Sequence, residues 1–330
     1  MIFLTRSYRG EMDTLPHERQ ILEYEETIRR FREQGEGPNL LSEKEVAKLE
    51  QKLEALKKQV YSKLSPIERL AICRHSGRPR ALYYIETICE DFFELYGDRQ
   101  FGDDSAIVGG FARIGGEKFV VVAQEKGHDT ESRLHRNFGM PHPEGFRKAR
   151  RLMETAERFN LPVVTFVDTP GAFPGLTAEE RGQAWAIAEN LREMARLRTP
   201  IIVVCIGEAG SGGALAIAVG DQIGMLEHGY YSVISPEGCA SILWKDQSKK
   251  EAAVEALKLN SENMLEFQVI DTVISEPLGG AHHDPQAAAE SVKEFITTSW
   301  AQLKGLEIDT LLARRYEKFR RIGSHAEKTK

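Results

Sequence analysis

Two kinds of hydrophobic spacing divide the chain near residue 65. In the first part, apolar residues recur every three or four positions. Ile21, Ile28 and Phe31 form one stripe, and Val46, Leu49, Leu53, Leu56, Val60 and Leu64 form a cleaner second one, with charged residues on the remaining faces. Ser42 and Glu45 stand where a capping box would open the second helix. The intervening Glu33-Gln34-Gly35-Glu36-Gly37-Pro38-Asn39 reads as a turn. The pattern predicts a helical hairpin. Two heptads are too few for a long coiled coil, so the hairpin is expected to pack on the main domain or on a partner chain.

From Ser65-Pro66 onward the period shortens. Residues 106–114 and 118–123 read as two strands joined by a hairpin at Gly115-Gly116. Strand and helix then alternate: a helix over 143–159, a strand over 162–167, and an amphipathic helix over 178–197 carrying Ala184, Ile187, Ala188, Leu191 and Met194. A strand at 200–206, a glycine-rich turn, a helix at 213–219 and short strands near 222–226 and 230–234 follow. Apolar strands with little alternation, separated by helices, imply a parallel sheet covered on both faces. Further helices are expected near 236–243, 249–258, 260–267 and 285–302, with a strand at 271–275. The basic, polar stretch 316–330 is expected to fray.

Length and composition narrow the class. At 330 residues the chain is long enough for about two domains, and 41% hydrophobic with 28% charged residues is ordinary for a globular protein. No apolar run approaches the ~18 residues that cross a bilayer, and the first residues lack the pattern of a secretory signal. Net charge is −6, which argues against a wholesale nucleic-acid binder and leaves local basic pockets open. Cys73, Cys89, Cys205 and Cys239 form no Cys-x-x-Cys pair, so neither a zinc ribbon nor a thioredoxin-type site is expected. Cys205, inside an apolar run, reads as a buried, inert thiol, and the expected compartment is the cytoplasm.

The richest chemistry lies in Gly207-Glu208-Ala209-Gly210-Ser211-Gly212-Gly213-Ala214-Leu215-Ala216, which leaves a strand and opens a helix, where backbone N–H groups favour an anion. Three motifs each fail by one residue. Gly213 replaces the Walker A lysine, Leu215 the third glycine of a dinucleotide fingerprint, and Ala209 the first glycine of a nucleophile elbow around Ser211. What remains is a set of unblocked donors suited to an oxyanion hole, or a tight turn that merely needs small residues. Asp168-Thr169-Pro170-Gly171-Ala172-Phe173-Pro174-Gly175 also leaves a strand and precedes a helix. Two such turns after successive parallel strands fall on one sheet edge, where open α/β proteins bind ligands. Arg133, Arg136, Arg147, Lys148, Arg150 and Arg151 invite a phosphate reading, but interleaved Glu144, Glu154 and Glu157 make a solvated helix face equally suitable. His128, His135 and His142 lie seven apart, and no Asp or Glu pairing can be placed for them from the sequence, a weak case for a metal; His282-His283 follows Gly279-Gly280 in what reads as a turn.

Taken together, these segments resemble the carboxyltransferase alpha subunit family of bacterial acetyl-CoA carboxylase. The resemblance rests on Arg136 to Pro141, Pro143-Glu144-Gly145, Asp168 to Gly175, Ala178 to Gln183, Gly210 to Ala218, Ser232 to Lys245 and Glu276 to His282. It covers about residues 66–300, and Met1 to Pro16 has no counterpart in it. It implies an α/β, crotonase-like (ClpP/crotonase) superhelix of ββα units, preceded by the helical hairpin. The corresponding division is an N-terminal helical extension over 1–65, the carboxyltransferase domain over 66–300 and a helical, basic tail over 301–330. The implied reaction moves the carboxyl group of carboxybiotin, borne on a carrier protein, to acetyl-CoA, giving malonyl-CoA for fatty-acid synthesis.

The resemblance also implies partners and roles. An α2β2 heterotetramer would place the active site between an alpha and a beta chain, with biotin carboxyl carrier protein and biotin carboxylase in the larger complex. The beta chain would carry the zinc ribbon and the CoA-thioester oxyanion hole, and this chain no metal. Biotin would not be attached covalently here. Backbone N–H groups of Gly212 and Gly213 would stabilise the biotin enolate, and Gly171, Ala172, Phe173, Gly175 and Gly210 would form the substrate wall, with N–H groups contributed around Ala172 and Phe173. The freed ureido group would itself take the acetyl-CoA methyl proton, leaving Ser211 as a turn residue. The enzymatic alternative is a crotonase-like or α/β serine hydrolase using Ser211 with His228 or His282 as base.

Overall fold

The structure, a computed structural model, describes residues 15–33 and 43–323. Its strands are β1 (Asp91–Glu94), β2 (Ile107–Ile114), β3 (Glu117–Gln124), β4 (Val163–Thr169), β5 (Ile201–Gly210), β6 (Gln222–Leu226), β7 (Tyr230–Ser232) and β8 (Thr272–Ile274). They form one sheet in the order β1-β2-β3-β4-β5-β6-β8, with β7 paired to the end of β5. β2 and β3 make the expected hairpin around Gly115 and Gly116, both at positive φ. That two-residue connection forces antiparallel pairing, so the sheet is mixed: β1 to β3 run antiparallel, and the strands from β3 onward run parallel.

Every residue of β4 and of β5 is buried, which is why they read as apolar runs. Alternate positions still point to opposite faces. Val163, Val167, Ile201, Val203 and Cys205 join Ala149, Leu152 and Met153 of the helix Pro143–Arg158. Val164, Phe166, Ile202, Val204 and Ile206 join Tyr84, Ile85 and Ile88 of the helix Ala81–Ile88 and Val292 and Ile296 of the helix Pro285–Leu303. Each fully buried aliphatic side chain contributes roughly 1.5–3 kcal/mol, so these two layers dominate the driving force.

The N-terminal hairpin consists of the helices Arg19–Glu33 and Glu43–Tyr61. It packs on the main domain, with Leu15, Ile21, Tyr61 and Leu64 gathered against Ile72. Lys57 pairs with Glu25 at 2.6 Å across the hairpin. Ser42 of the expected capping box, and the turn beyond Glu33, lie outside the described residues.

Four expectations change. The helix over 178–197 is two helices, Leu176–Glu180 and Gln183–Arg196, broken where Gly182 adopts φ +81°. Its buried face carries Gln183, Ala186, Asn190 and Glu193 beside Met194, whereas Ala184 and Ala188 are exposed. Polar groups turn inward because they tie loops together: Asn190 Nδ2 donates to Phe146 O at 3.0 Å and Ala216 O at 3.1 Å. The strand expected at 200–206 continues to Gly210, because its last three residues pair with β7. The following helix is correspondingly early and short, Ser211–Leu215.

The basic C-terminal stretch does not fray within the described residues. The helix Ile308–Arg320 buries Arg315, which donates to Met194 O, Leu197 O and Thr199 O at 2.7–2.9 Å and pairs with Asp221 at 2.6 Å. Lys318 Nζ donates to Gly220 O at 3.3 Å and Asp221 O at 3.2 Å. These cations satisfy carbonyls left unpaired where the helix Gln183–Arg196 ends and where β6 begins.

Candidate functional site

β4 and β5 end side by side. A register shift after Val167 brings Thr169 opposite Ala209, so the segments that follow emerge together from the carboxyl edge of the sheet. The two turns then pack backbone against backbone. A Cβ on Gly210 would lie 2.3 Å from Pro170 O, and one on Gly213 would lie 2.5 Å from Gly171 C and 2.6 Å from Ala172 N. Close approach therefore demands glycine at both positions. Gly212 differs, because a Cβ there would meet only the Ile187 side chain, at 3.6 Å. Gly171 faces open space and is held to glycine by its φ of +152°. Gly175 makes room for the Phe173 ring, 2.4 Å from where its Cβ would stand.

The backbone donors of the two turns are not equally available. The Gly171 N–H donates to Thr169 Oγ1 at 3.0 Å, and the Phe173 N–H to Pro141 O at 3.0 Å. The Phe173 N–H is thus spent within the protein, contrary to the expectation that it faces a ligand. The N–H groups of Ala172, Gly212 and Gly213 have no acceptor among the described residues. Gln124 locks these backbones together: its Nε2 donates to Gly213 O at 2.7 Å, and its Oε1 accepts from Asp168 N at 3.2 Å. Gln183 Nε2 fixes the far side, donating to Pro141 O at 2.8 Å and Phe173 O at 3.0 Å. The Phe173 ring stacks on His142 at 4.1 Å.

Beneath the turns lies a charge network that spacing along the chain does not reveal. Asp168 pairs with Arg80 at 3.0 Å and Lys126 at 2.8 Å; Lys126 also pairs with Glu208, which Arg74 reaches at 2.7 Å. Burial alone would raise both carboxyl pKa values. Lys126 outweighs it, with Arg80 at Asp168 and Arg74 at Glu208, and both acids are held below the ordinary carboxylate range. A cavity of about 220 Å³ opens here against Pro170 and Phe138, lined by Arg74, Arg80, Lys126, Arg133 and Glu208. A larger cavity of about 510 Å³ lies at the opposite, amino-terminal edge of the strands, beside Asp221 and Arg315.

Most of the basic stretch is tied up within the protein. Arg147 pairs with Asp98 at 2.7 Å, Arg150 pairs with Glu189, the buried Lys148 Nζ donates to Ile107 O at 2.7 Å, and Arg136 donates to Ser105 O at 2.6 Å. Of this stretch, Arg133 is the one that lines the 220 Å³ cavity. His128, His135 and His142 are not brought together as ligands: His128 pairs with Asp129 at 3.0 Å, and His142 with Phe173 and Asn137.

Ser211 is exposed at φ +51°, and its hydroxyl has no base within hydrogen-bond distance among the described residues. His228 is buried, its backbone N–H on Glu276, and His282 stacks on His75 at 4.0 Å. Burial pushes the Cys205 thiol up to about 12, as expected for an inert core cysteine.

Comparison with known proteins identifies the family and the fold. The profile of the family described as acetyl co-enzyme A carboxylase carboxyltransferase-like matches residues 14–323. The chain is 61% identical over 312 residues to the acetyl-coenzyme A carboxylase carboxyl transferase subunit alpha of Chlamydia pneumoniae, covering 94% of this chain and 96% of that protein. The same-named protein of Chlamydia caviae is 60% identical over the same shares. Among solved structures, a Pseudomonas malonate decarboxylase hetero-tetramer in complex with coenzyme A aligns with a TM-score of 0.57 and 18% identity, covering 73% of this chain and 94% of that one. Transcarboxylase 12S aligns with a TM-score of 0.52 and 21% identity over 67% of this chain and 42% of its own. These likenesses establish the fold as the expected crotonase-like one. By a match that spans nearly its whole length, the chain belongs to the acetyl co-enzyme A carboxylase carboxyltransferase-like family.

Proposed function

We propose that the chain is the alpha component of an acetyl-CoA carboxylase carboxyltransferase, which transfers a carboxyl group to acetyl-CoA to give malonyl-CoA. One observation carries the reading: two interlocked glycine turns present the N–H groups of Ala172, Gly212 and Gly213 with no internal acceptor among the described residues. Biotin, borne on a carrier protein, supplies the carboxyl group to be transferred. The residues fit its ureido oxygen, because small residues leave the donors accessible and Gln124 prevents the turns from parting. Each donor aimed at an oxygen that gains charge is worth about 3 kcal/mol of barrier. Gly171, Phe173, Gly175 and Gly210 act through shape: they bring the donors together and form the wall.

Leu176, Trp185 and Leu215 expose apolar surface around the turns. That rim suits a beta-type chain completing the active site in an α2β2 assembly, with the carrier protein and biotin carboxylase in the wider complex. Residues 66–300 would carry the transfer, with 1–65 and 301–330 as extensions. The proposed setting is the cytoplasm, where acetyl-CoA and the carrier protein would meet the enzyme. No described helix is long and apolar enough to cross a membrane.

A serine hydrolase would need an activated Ser211, and that residue has no base among the described side chains. Fluorophosphonate is therefore expected to leave Ser211 unlabelled. Ser211→Ala is expected to keep transfer within about 3-fold in the assembled enzyme, since no step uses the hydroxyl. Labelling, or a loss of several orders of magnitude, would restore the hydrolase reading.

A further inference from the structure

Outside the glycine turns, a histidine-rich cluster joins the N-terminal segment to the main domain. Glu18 ends the short turn Pro16–Glu18 that leads into the helix Arg19–Glu33, while His282 and His283 sit in the loop before the helix Pro285–Leu303. The nearest ligand atoms of the three side chains all lie within 4.8 Å of one another. His283 Nε2 is 3.2 Å and His282 Nε2 4.0 Å from the same oxygen, Glu18 Oε1.

Hydrogen bonding does not account for His282. Its side chain is 2% exposed, yet neither ring nitrogen has a hydrogen-bond partner among the described residues. Leaving such a group unpaired is costly in a native protein, and an orphan of this kind calls for an explanation. The surrounding backbone is shaped to seat the rings. Gly279 and Gly280 adopt φ +95° and +112°; a Cβ on Gly279 would lie 2.7 Å from His283 Cδ2, and one on Gly280 3.2 Å from His282 Nδ1. The Tyr61 hydroxyl donates to Glu18 Oε1 at 2.9 Å, fixing the carboxylate as an outer hydrogen bond fixes a metal ligand.

We propose that Glu18, His282 and His283 form a divalent metal site, of the two-imidazole, one-carboxylate kind that zinc favours, which fastens the N-terminal helical segment to the main domain. Tetrahedral coordination with bonds of ~2.1 Å sets ligand atoms roughly 3.4 Å apart. The observed 3.2 and 4.0 Å bracket that spacing, and the third separation is no more than 4.8 Å, so closure requires His282 to draw in toward the other two ligands. The ion would gain the unused nitrogen of His282 as a ligand and clip together residues far apart in the chain.

The test uses the full chain, made without a histidine tag and stripped with chelator. Cobalt(II) is titrated first, followed by its visible absorption, then zinc(II), followed by Tm. The expected result is the intense spectrum of tetrahedral cobalt at one equivalent, displaced by zinc, with zinc raising Tm by about 5 °C. Glu18→Gln and His283→Asn should each abolish both signals, and His283→Asn, at a partly exposed position, should keep its metal-free Tm within about 2 °C. No cobalt spectrum and no Tm shift would overturn the proposal, as would signals that persist in both variants.

Discussion

Replacing Gly212 by valine is expected to lower carboxyl transfer by the assembled enzyme about 10²–10³-fold while leaving the fold intact. Gly212 lies in the first turn of the helix after β5 and is half-exposed, and a Cβ there meets nothing closer than Ile187 at 3.6 Å. A Cβ is thus accommodated by the protein, and the valine methyl groups beyond it are expected to stand beside the N–H groups that an incoming oxygen must reach. Gly213 sets the contrast. A Cβ there strikes the backbone of Gly171 and Ala172 at 2.5–2.6 Å, so even Gly213→Ala should part the turns and cost roughly 1–3 kcal/mol of stability. Activity and Tm measured together distinguish the two: Gly212→Val loses rate at constant Tm, whereas Gly213→Ala loses both. A Gly212→Val enzyme of near-normal rate would remove these donors from the mechanism.

The second large effect concerns stability. Arg78 and Glu276 have fully buried side chains in a two-pronged pair at 2.6 and 2.7 Å. Arg78 Nε also donates to Ile206 O, while Glu276 accepts from the backbone N–H groups of His228 and Ala281. The pair thus ties the loop after β8 to the strand that delivers Gly212. Arg78→Leu strands the carboxylate in the interior and is expected to cost about 3–5 kcal/mol, the range for removing one partner of a buried pair. Tm should fall by roughly 10 °C. Arg78→Leu/Glu276→Leu should lose less than the sum of its singles, because no uncompensated charge remains.

The same pair predicts the acid limb. Burial alone would raise the Glu276 pKa, but Arg78 outweighs it and holds the group at about 2, below its ordinary value of 4.5. A depressed folded-state pKa contributes stability that is complete above pH ~4.5 and is lost as pH falls toward ~2. Denaturant unfolding should therefore weaken across that window. In Glu276→Gln the decline should be shallower, although its starting stability is lower. An unchanged pH slope in that variant would assign the acid sensitivity to other carboxylates.

Much of the scaffold was legible because burial leaves a periodic trace. β4 and β5 showed as apolar runs, the hairpin at Gly115-Gly116 as two strand-like stretches flanking a glycine pair, and the helix Glu43–Tyr61 as the three-and-four spacing of Leu49, Leu53, Leu56 and Val60. The four-residue β1 is largely exposed and left little such trace. The inward face of the helix Gln183–Arg196 was misread because its buried positions are polar and tie loops, a pattern that hydrophobicity cannot register. Both glycine turns were visible, but which N–H groups were free depended on Pro141 and Thr169, through loop geometry absent from any spacing rule. Arg74, Arg80 and Lys126 were not anticipated because the fold alone brings them to Asp168 and Glu208.

The most direct test of the central claim is reverse transfer. Malonyl-CoA and a free biotin derivative are supplied and acetyl-CoA release is followed, with this chain alone, with a beta-type partner alone, and with the two mixed. The shared-site account expects release only from the mixture, and a large loss when the mixture is built with Gly212→Val. Full activity from this chain alone, or none from a mixture shown by light scattering to have assembled, would contradict it.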